Sequence, residues 1–167
     1  LGKTDFVVLE ETGKNLVLRK VAEEKKKDLP VLGGNLKKMG YISELKSLLS
    51  EFMQYNVTPD MLEELTGGEN SAQSFSYKMR DVLTMYRGFL DYVEGTYITA
   101  EEILDLLADL AEDSALLRGS TLVFDGFTGF TPNQNKLLKV LFPLVGDVLV
   151  TVSMDEREDF FGKPQIQ

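Results

Sequence analysis

From Tyr41 to Leu110 the apolar residues return at helical spacing, and at Gly119 that periodicity stops. This break constrains the fold more than any other feature. Ile42, Leu45, Leu48, Leu49, Phe52 and Met53 form one stripe before it. Phe75, Met79, Leu83, Tyr86, Leu90 and Val93 form a second, and Ile103, Leu106, Leu107 and Leu110 a third. Residues three and four apart share a helix face, so each stripe predicts an amphipathic helix packed on a core. Local signals agree. Thr58-Pro59-Asp60 supplies an N-cap, a first-position proline and a first-turn acid. Thr99-Ala100-Glu101-Glu102 is a capping box, flanked by Ile98 and Ile103 for a hydrophobic staple. Gly67-Gly68 and Gly95 stop their helices. A further helix is expected from Gly13 to about Lys26, and Leu116-Leu117 as one more turn. Leu29 to Gly40, with Pro30, Gly33 and Gly34, reads as a connection.

After Gly119 the texture is that of a strand. Thr121 to Asp125 has apolar residues on both faces, the pattern of a buried parallel strand. Thr131-Pro132-Asn133-Gln134 is a second capping box, opening a helix that carries Leu137, Leu138, Leu141 and Phe142. Val148 to Val152 predicts a second buried strand, running toward Asp155. Strand, helix and strand in so short a span make one βαβ unit, right-handed by precedent. The expected fold class is therefore α/β but predominantly helical. A helical insertion of about 13–118 precedes a βαβ piece of a larger parallel sheet. The chain divides into 1–118, with a short extended segment at Phe6–Leu9, then 119–155, then a polar tail at 156–167. Two parallel strands make a poor sheet alone. Either Phe6–Leu9 joins them or flanking chain supplies the rest.

Composition removes whole classes of chemistry. The 167 residues include no Cys and no His, so thiol catalysis, disulfides, Cys/His zinc sites and imidazole triads are excluded. A cysteine-free chain fits a reducing compartment, and a cytoplasmic location is the expectation. The formal charge of −9 argues against broad nucleic-acid affinity, which relies on Lys and Arg. No apolar run reaches the ~20 residues of a membrane helix, so no membrane partner is expected. The start at Leu1 suggests a piece of a longer chain. Lys25-Lys26-Lys27 reads either as a solvated helix end that complements the macrodipole or as a phosphate-binding patch.

The candidate chemistry gathers at the strand ends. A strand that ends in Asp125 resembles a Walker-B strand, whose aspartate holds Mg²⁺. Gly126 stands where a helicase has its water-positioning Glu, and glycine has no side chain to polarise water. A phosphate loop needs G-x-x-x-x-G-K-[ST]. Gly2-Lys3-Thr4 and Gly13-Lys14 supply only fragments of it, so no complete ATP site is expected. Asp125 and Asp155 end neighbouring strands, where α/β ligands usually bind. They either share a divalent ion or simply accept backbone hydrogen bonds. No catalytic residue can be assigned. One alternative is an independent Mg²⁺-dependent phosphate enzyme using Asp125 and Asp155; another is a helical interaction module. Phe127 and Phe130 lie on the glycine-bearing loop that follows. They either stack on bases or fold back against the helix from Thr131.

The stretch FDGFTGFTPNQ (124–134) closely resembles the D-G-F-x-x-F-T-P-x-[EQ] segment of AddB, the B subunit of bacterial ATP-dependent helicase/deoxyribonucleases, which is related to RexB. TGKNLVLRK (12–20), GYISELKSLLSEFMQYNVTPDMLEEL (40–65), YVEGTYITAEEILDLLA (92–108) and VLVTVSMD (148–155) support it in order. The resemblance implies an inner piece of a helicase-like N-terminal half, structural rather than catalytic, in a protein of DNA repair and recombination. It implies ATP, Mg²⁺ and an iron–sulfur cluster elsewhere in the parent, an A subunit as partner, and DNA. In that family the helicase-like part scans single-stranded DNA for the Chi signal, and Phe127 occupies the implicated D-G-F position. Phe130 is expected to pack.

Overall fold

A computed structural model describes residues 7–36, 38–66 and 73–152. Gly2-Lys3-Thr4, Asp155, the 156–167 tail and the side chain of Phe75 lie outside the described residues. The described chain is mostly helical. Its order is β1 (Val7–Leu9), α1 (Glu11–Glu24), α2 (Met39–Gln54), α3 (Pro59–Thr66), α4 (Gln73–Val93), β2 (Tyr97–Thr99), α5 (Ala100–Ala111), β3 (Thr121–Phe124), α6 (Pro132–Leu141) and β4 (Asp147–Val150).

The core lies where α1, α2 and α4 meet. Leu18, Val21, Ile42, Leu49, Met85 and Phe89 are its buried centre. Ile42, Leu45 and Leu49 are the predicted stripe of α2, and Leu83 and Tyr86 that of α4. Gly88 lets α1 and α4 approach closely, because a Cβ there would sit 2.6 Å from Val21 Cγ1. The connection after α1 is pinned by the buried carboxylate of Asp81 on α4. Its Oδ2 accepts the Val31 and Leu32 N–H groups at 2.8 and 2.7 Å. Both capping boxes form: Thr99 with Glu102, and Thr131 with Gln134.

Of the two ways offered to complete the later strands, the first does not occur: β1 pairs in parallel with β2, Val8 opposite Ile98. The sequence does not predict β2, since Ile98 reads as a staple residue and three residues show too little alternation to reveal a strand. The strands expected to be buried are largely open. β4 is exposed throughout and β3 buries only Phe124. The physical reason is that, among the described residues, β3 and β4 pair only with each other, Phe124 opposite Val150, which leaves both outer edges unpaired in a sheet too narrow to be covered as a parallel sheet ordinarily is. Finally, Leu116-Leu117 lies in a turn, with Leu116 exposed.

Candidate functional site

The βαβ unit places its chemistry at the carboxyl ends of β3 and β4. Register puts Thr151, one residue beyond β4, opposite Asp125. The Thr151 N–H donates to the Phe124 carbonyl at 2.9 Å, extending the ladder by one bond. Its hydroxyl donates to the Asp125 carboxylate and accepts the Gly126 N–H at 3.3 Å. Asp125 therefore closes the strand ends through a threonine hydroxyl. Sequence reasoning misses Thr151, whose only signal is its place opposite the acid. Asp155, the expected companion of Asp125, lies outside the described residues.

Gly126 has φ +72°, in the left-handed region. No atom lies within 4 Å of where its Cβ would be, so the backbone conformation and not space selects glycine. A glutamate at this position would be strained, which gives a physical reason for glycine directly after Asp125. The turn throws the next residues outward as a loop that ends at Thr131, the N-cap of α6.

Four phenylalanines organise that loop. Phe124 is buried at the end of β3. Phe127, Phe130 and Phe142 each meet its ring edge-on, at 5.7, 5.3 and 6.3 Å. Phe127 and Phe130 stack on each other, 5.1 Å apart and 24° from parallel. Such pairs contribute about 0.5–1.5 kcal/mol each beyond area burial. Phe127 remains 50% exposed, while Phe130 is half-buried. The two readings of Phe127 thus meet in one side chain: it leans on its neighbours and keeps half its surface in solvent.

The loop is fixed at its far end. Asn135 Nδ2 donates to the Phe130 carbonyl at 3.3 Å. Asn133, 3% exposed, donates from Nδ2 to the Met53 carbonyl at 3.1 Å. That bond ties the first turn of α6 to the end of α2. Its Oδ1 has no partner among the described residues. The loop therefore rides on the helical body, and nothing in the sequence announces this contact.

The phosphate-loop fragment at Gly13-Lys14 serves another purpose. Lys14 is 1% exposed and donates from Nζ to both Glu101 oxygens, at 3.0 and 2.9 Å, and to Ser50 Oγ at 3.1 Å. It joins α1, α2 and α5 and is not free to reach a phosphate. At the surface beside it, Glu11 bonds to Lys46, which together with Lys14 holds its carboxyl below the usual range despite some burial.

Among the described residues no cluster of three or more His, Cys, Asp or Glu side chains is placed to hold a metal ion. The iron–sulfur cluster does not fit this chain, which has no cysteine to ligate it. No described helix is long and apolar enough to cross a membrane.

Comparison with known proteins identifies the family. The family described as "ADDB, N-terminal" matches residues 1–165. A relative from Lachnoclostridium phytofermentans, named as the B subunit of an ATP-dependent helicase/deoxyribonuclease, is 41% identical over 157 residues, covering 94% of this chain and 14% of its own. Proteins with the same name from Clostridioides difficile and Thermoanaerobacter sp. are 30% and 33% identical, covering 93% and 88% of this chain and 13% of theirs. The chain thus spans about one-seventh of the length of the curated relatives it matches. Matched over nearly its whole length, the chain belongs to the AddB N-terminal family.

Proposed function

We propose that this chain is the non-catalytic, helicase-like part of the B subunit of a helicase–nuclease, and that its 126–131 loop faces single-stranded DNA. The observation that carries the reading is the half-exposed ring of Phe127, braced by Phe124 and Phe130 at the carboxyl ends of two parallel strands. Ligands of open α/β sheets bind at that edge. A base stacked on an aromatic ring contributes ~1–3 kcal/mol. The braced ring loses little freedom on binding, which favours stacking. Scanning for Chi is the role assigned to this contact. The 13–118 region acts as a helical insertion and 119–155 as part of a phosphate-loop-helicase-like sheet. The open edges of β3 and β4 are completed by other parts of the longer protein. ATP, Mg²⁺ and the iron–sulfur cluster belong to other parts of the complex, where the A subunit is the motor partner, and the assembly works in the cytoplasm in break repair and recombination.

Two measurements test this. The chain alone is expected neither to hydrolyse ATP nor to cleave DNA. Turnover that disappears in Asp125→Ala would instead establish a Mg²⁺-dependent enzyme. In the intact complex, Phe127→Ala is expected to weaken Chi response, with the melting temperature lowered no further than the loss of its two ring contacts implies. Unaltered Chi response together with a lowered melting temperature would make Phe127 a core residue.

A further inference from the structure

Residues 19–38 carry seven Lys or Arg against three Asp or Glu, in a chain whose net charge is −9. The helix that precedes this segment ends earlier than the sequence suggests. α1 stops at Glu24, its last turn holds no basic residue, and Lys26–Asp28 form a separate 3₁₀ turn. The lysine triplet therefore projects from a turn beyond the helix. Elsewhere Lys14, Lys46, Arg87 and Lys136 each pair with carboxylates. Among the described residues Arg19, Lys25, Lys26 and Lys27 pair with none, and all four are exposed.

Arg19 and Lys26 share a surface cavity of about 220 Å³ with Glu23, Gly33 and Leu36. Its far wall is rigid. Gly33 N–H donates to the Leu29 carbonyl at 2.9 Å, and the preceding N–H groups are held by buried Asp81. A Cβ on Gly33 would meet the Leu29 carbonyl at 2.6 Å, so this wall depends on glycine.

We propose that this surface, formed by Arg19, Lys25, Lys26 and Lys27, binds the phosphate backbone of a nucleic-acid strand. The inference rests on the nucleic-acid reading above but uses a different surface and a different force. The acidic total does not cancel it, because salt at physiological strength screens charges beyond about 8 Å. The acids that adjoin the triplet in sequence are Glu23, Glu24 and Asp28, three against the seven cations of the segment. Glu23 within the cavity moderates the patch, which favours a diffuse polyanion contact over capture of a single ion.

The test uses the full-length protein that carries this chain and a fluorescein-labelled oligo-dT strand, with affinity measured across a salt series. Arg19→Gln/Lys26→Gln/Lys27→Gln is expected to make the log–log salt dependence shallower by about 2, at about 0.7 for each single-strand phosphate no longer neutralised. Lys139→Gln, an exposed cation outside the patch, is expected to leave it unchanged. If the triple variant lowers the melting temperature, Lys26→Gln/Lys27→Gln, outside any α-helix, takes its place with a proportionately smaller change. An unaltered salt slope in the folded variant overturns the inference, whether the patch then meets an acidic protein or only water. Phe127→Ala reports separately, since stacking alters affinity without altering the slope. A variant with reduced slope beside an inert Phe127→Ala keeps this inference and removes the stacking reading. No measurable binding by the parent protein overturns both.

Discussion

At the scale of single residues, the candidate site is a backbone device as much as a set of side chains. The positive φ of Gly126 turns the chain so that Phe127 leaves the sheet. Gly126→Ala has room for its methyl but not the conformation, and is expected to cost about 1–2 kcal/mol; chemical denaturation measures it. Lys14 presents the opposite case. It is buried against Glu101, so Lys14→Met would leave a carboxylate buried without its partner. The expected loss is about 3–5 kcal/mol, with much of it recovered in Lys14→Met/Glu101→Leu. Tyr86, buried and donating to the Val57 carbonyl at 3.1 Å, has its phenol pKa raised by burial first and then by Glu101 and Glu102. A raised folded-state pKa means this contribution is full below the ordinary tyrosine range and lost as pH rises through the folded value. Thermal melts should therefore fall in alkaline buffer, and Tyr86→Phe should remove part of that slope.

At the scale of elements, α6 orients the loop, and its N-terminus is where the loop is anchored. Thr131→Ala removes the acceptor for the Gln134 N–H and is expected to cost about 1 kcal/mol. It should also broaden the motion of Phe130 and Phe127, visible as faster amide exchange across 126–131. Much at this scale is legible in the sequence. The stripes at Ile42–Leu49 and Leu83–Tyr86 are core, and both capping boxes form as their spacing predicts. These signals are local, and local rules read them. What escapes is pairing at long range. Nothing near Val7 or Ile98 says that the two strands meet, and three residues carry no usable period. The same holds for Lys14 with Glu101, for Asp81 with the Val31 turn, and for Asn133 with Met53. At the site, Asp125, Gly126 and Phe127 stand out by type and order. Thr151 and Phe124 become meaningful only once register sets them beside the loop.

At the scale of the whole molecule, the helical body is well packed while the β3–β4 sheet is open, with Val123, Leu149 and Val150 exposed. Parallel strands are ordinarily covered on both faces. Amides of 147–150 are therefore expected to exchange much more slowly in the full-length protein than in this chain alone. Equal rates in the two would mean that the sheet ends here. The central claim concerns Phe127, and the most direct measurement is photocrosslinking of the full-length protein to single-stranded DNA carrying 5-iodouracil, which joins to a stacked aromatic ring. A DNA-facing Phe127 predicts an adduct mapped to that residue and absent from Phe127→Ala. Adducts confined to other exposed aromatics, such as Tyr55 or Tyr77, would contradict it.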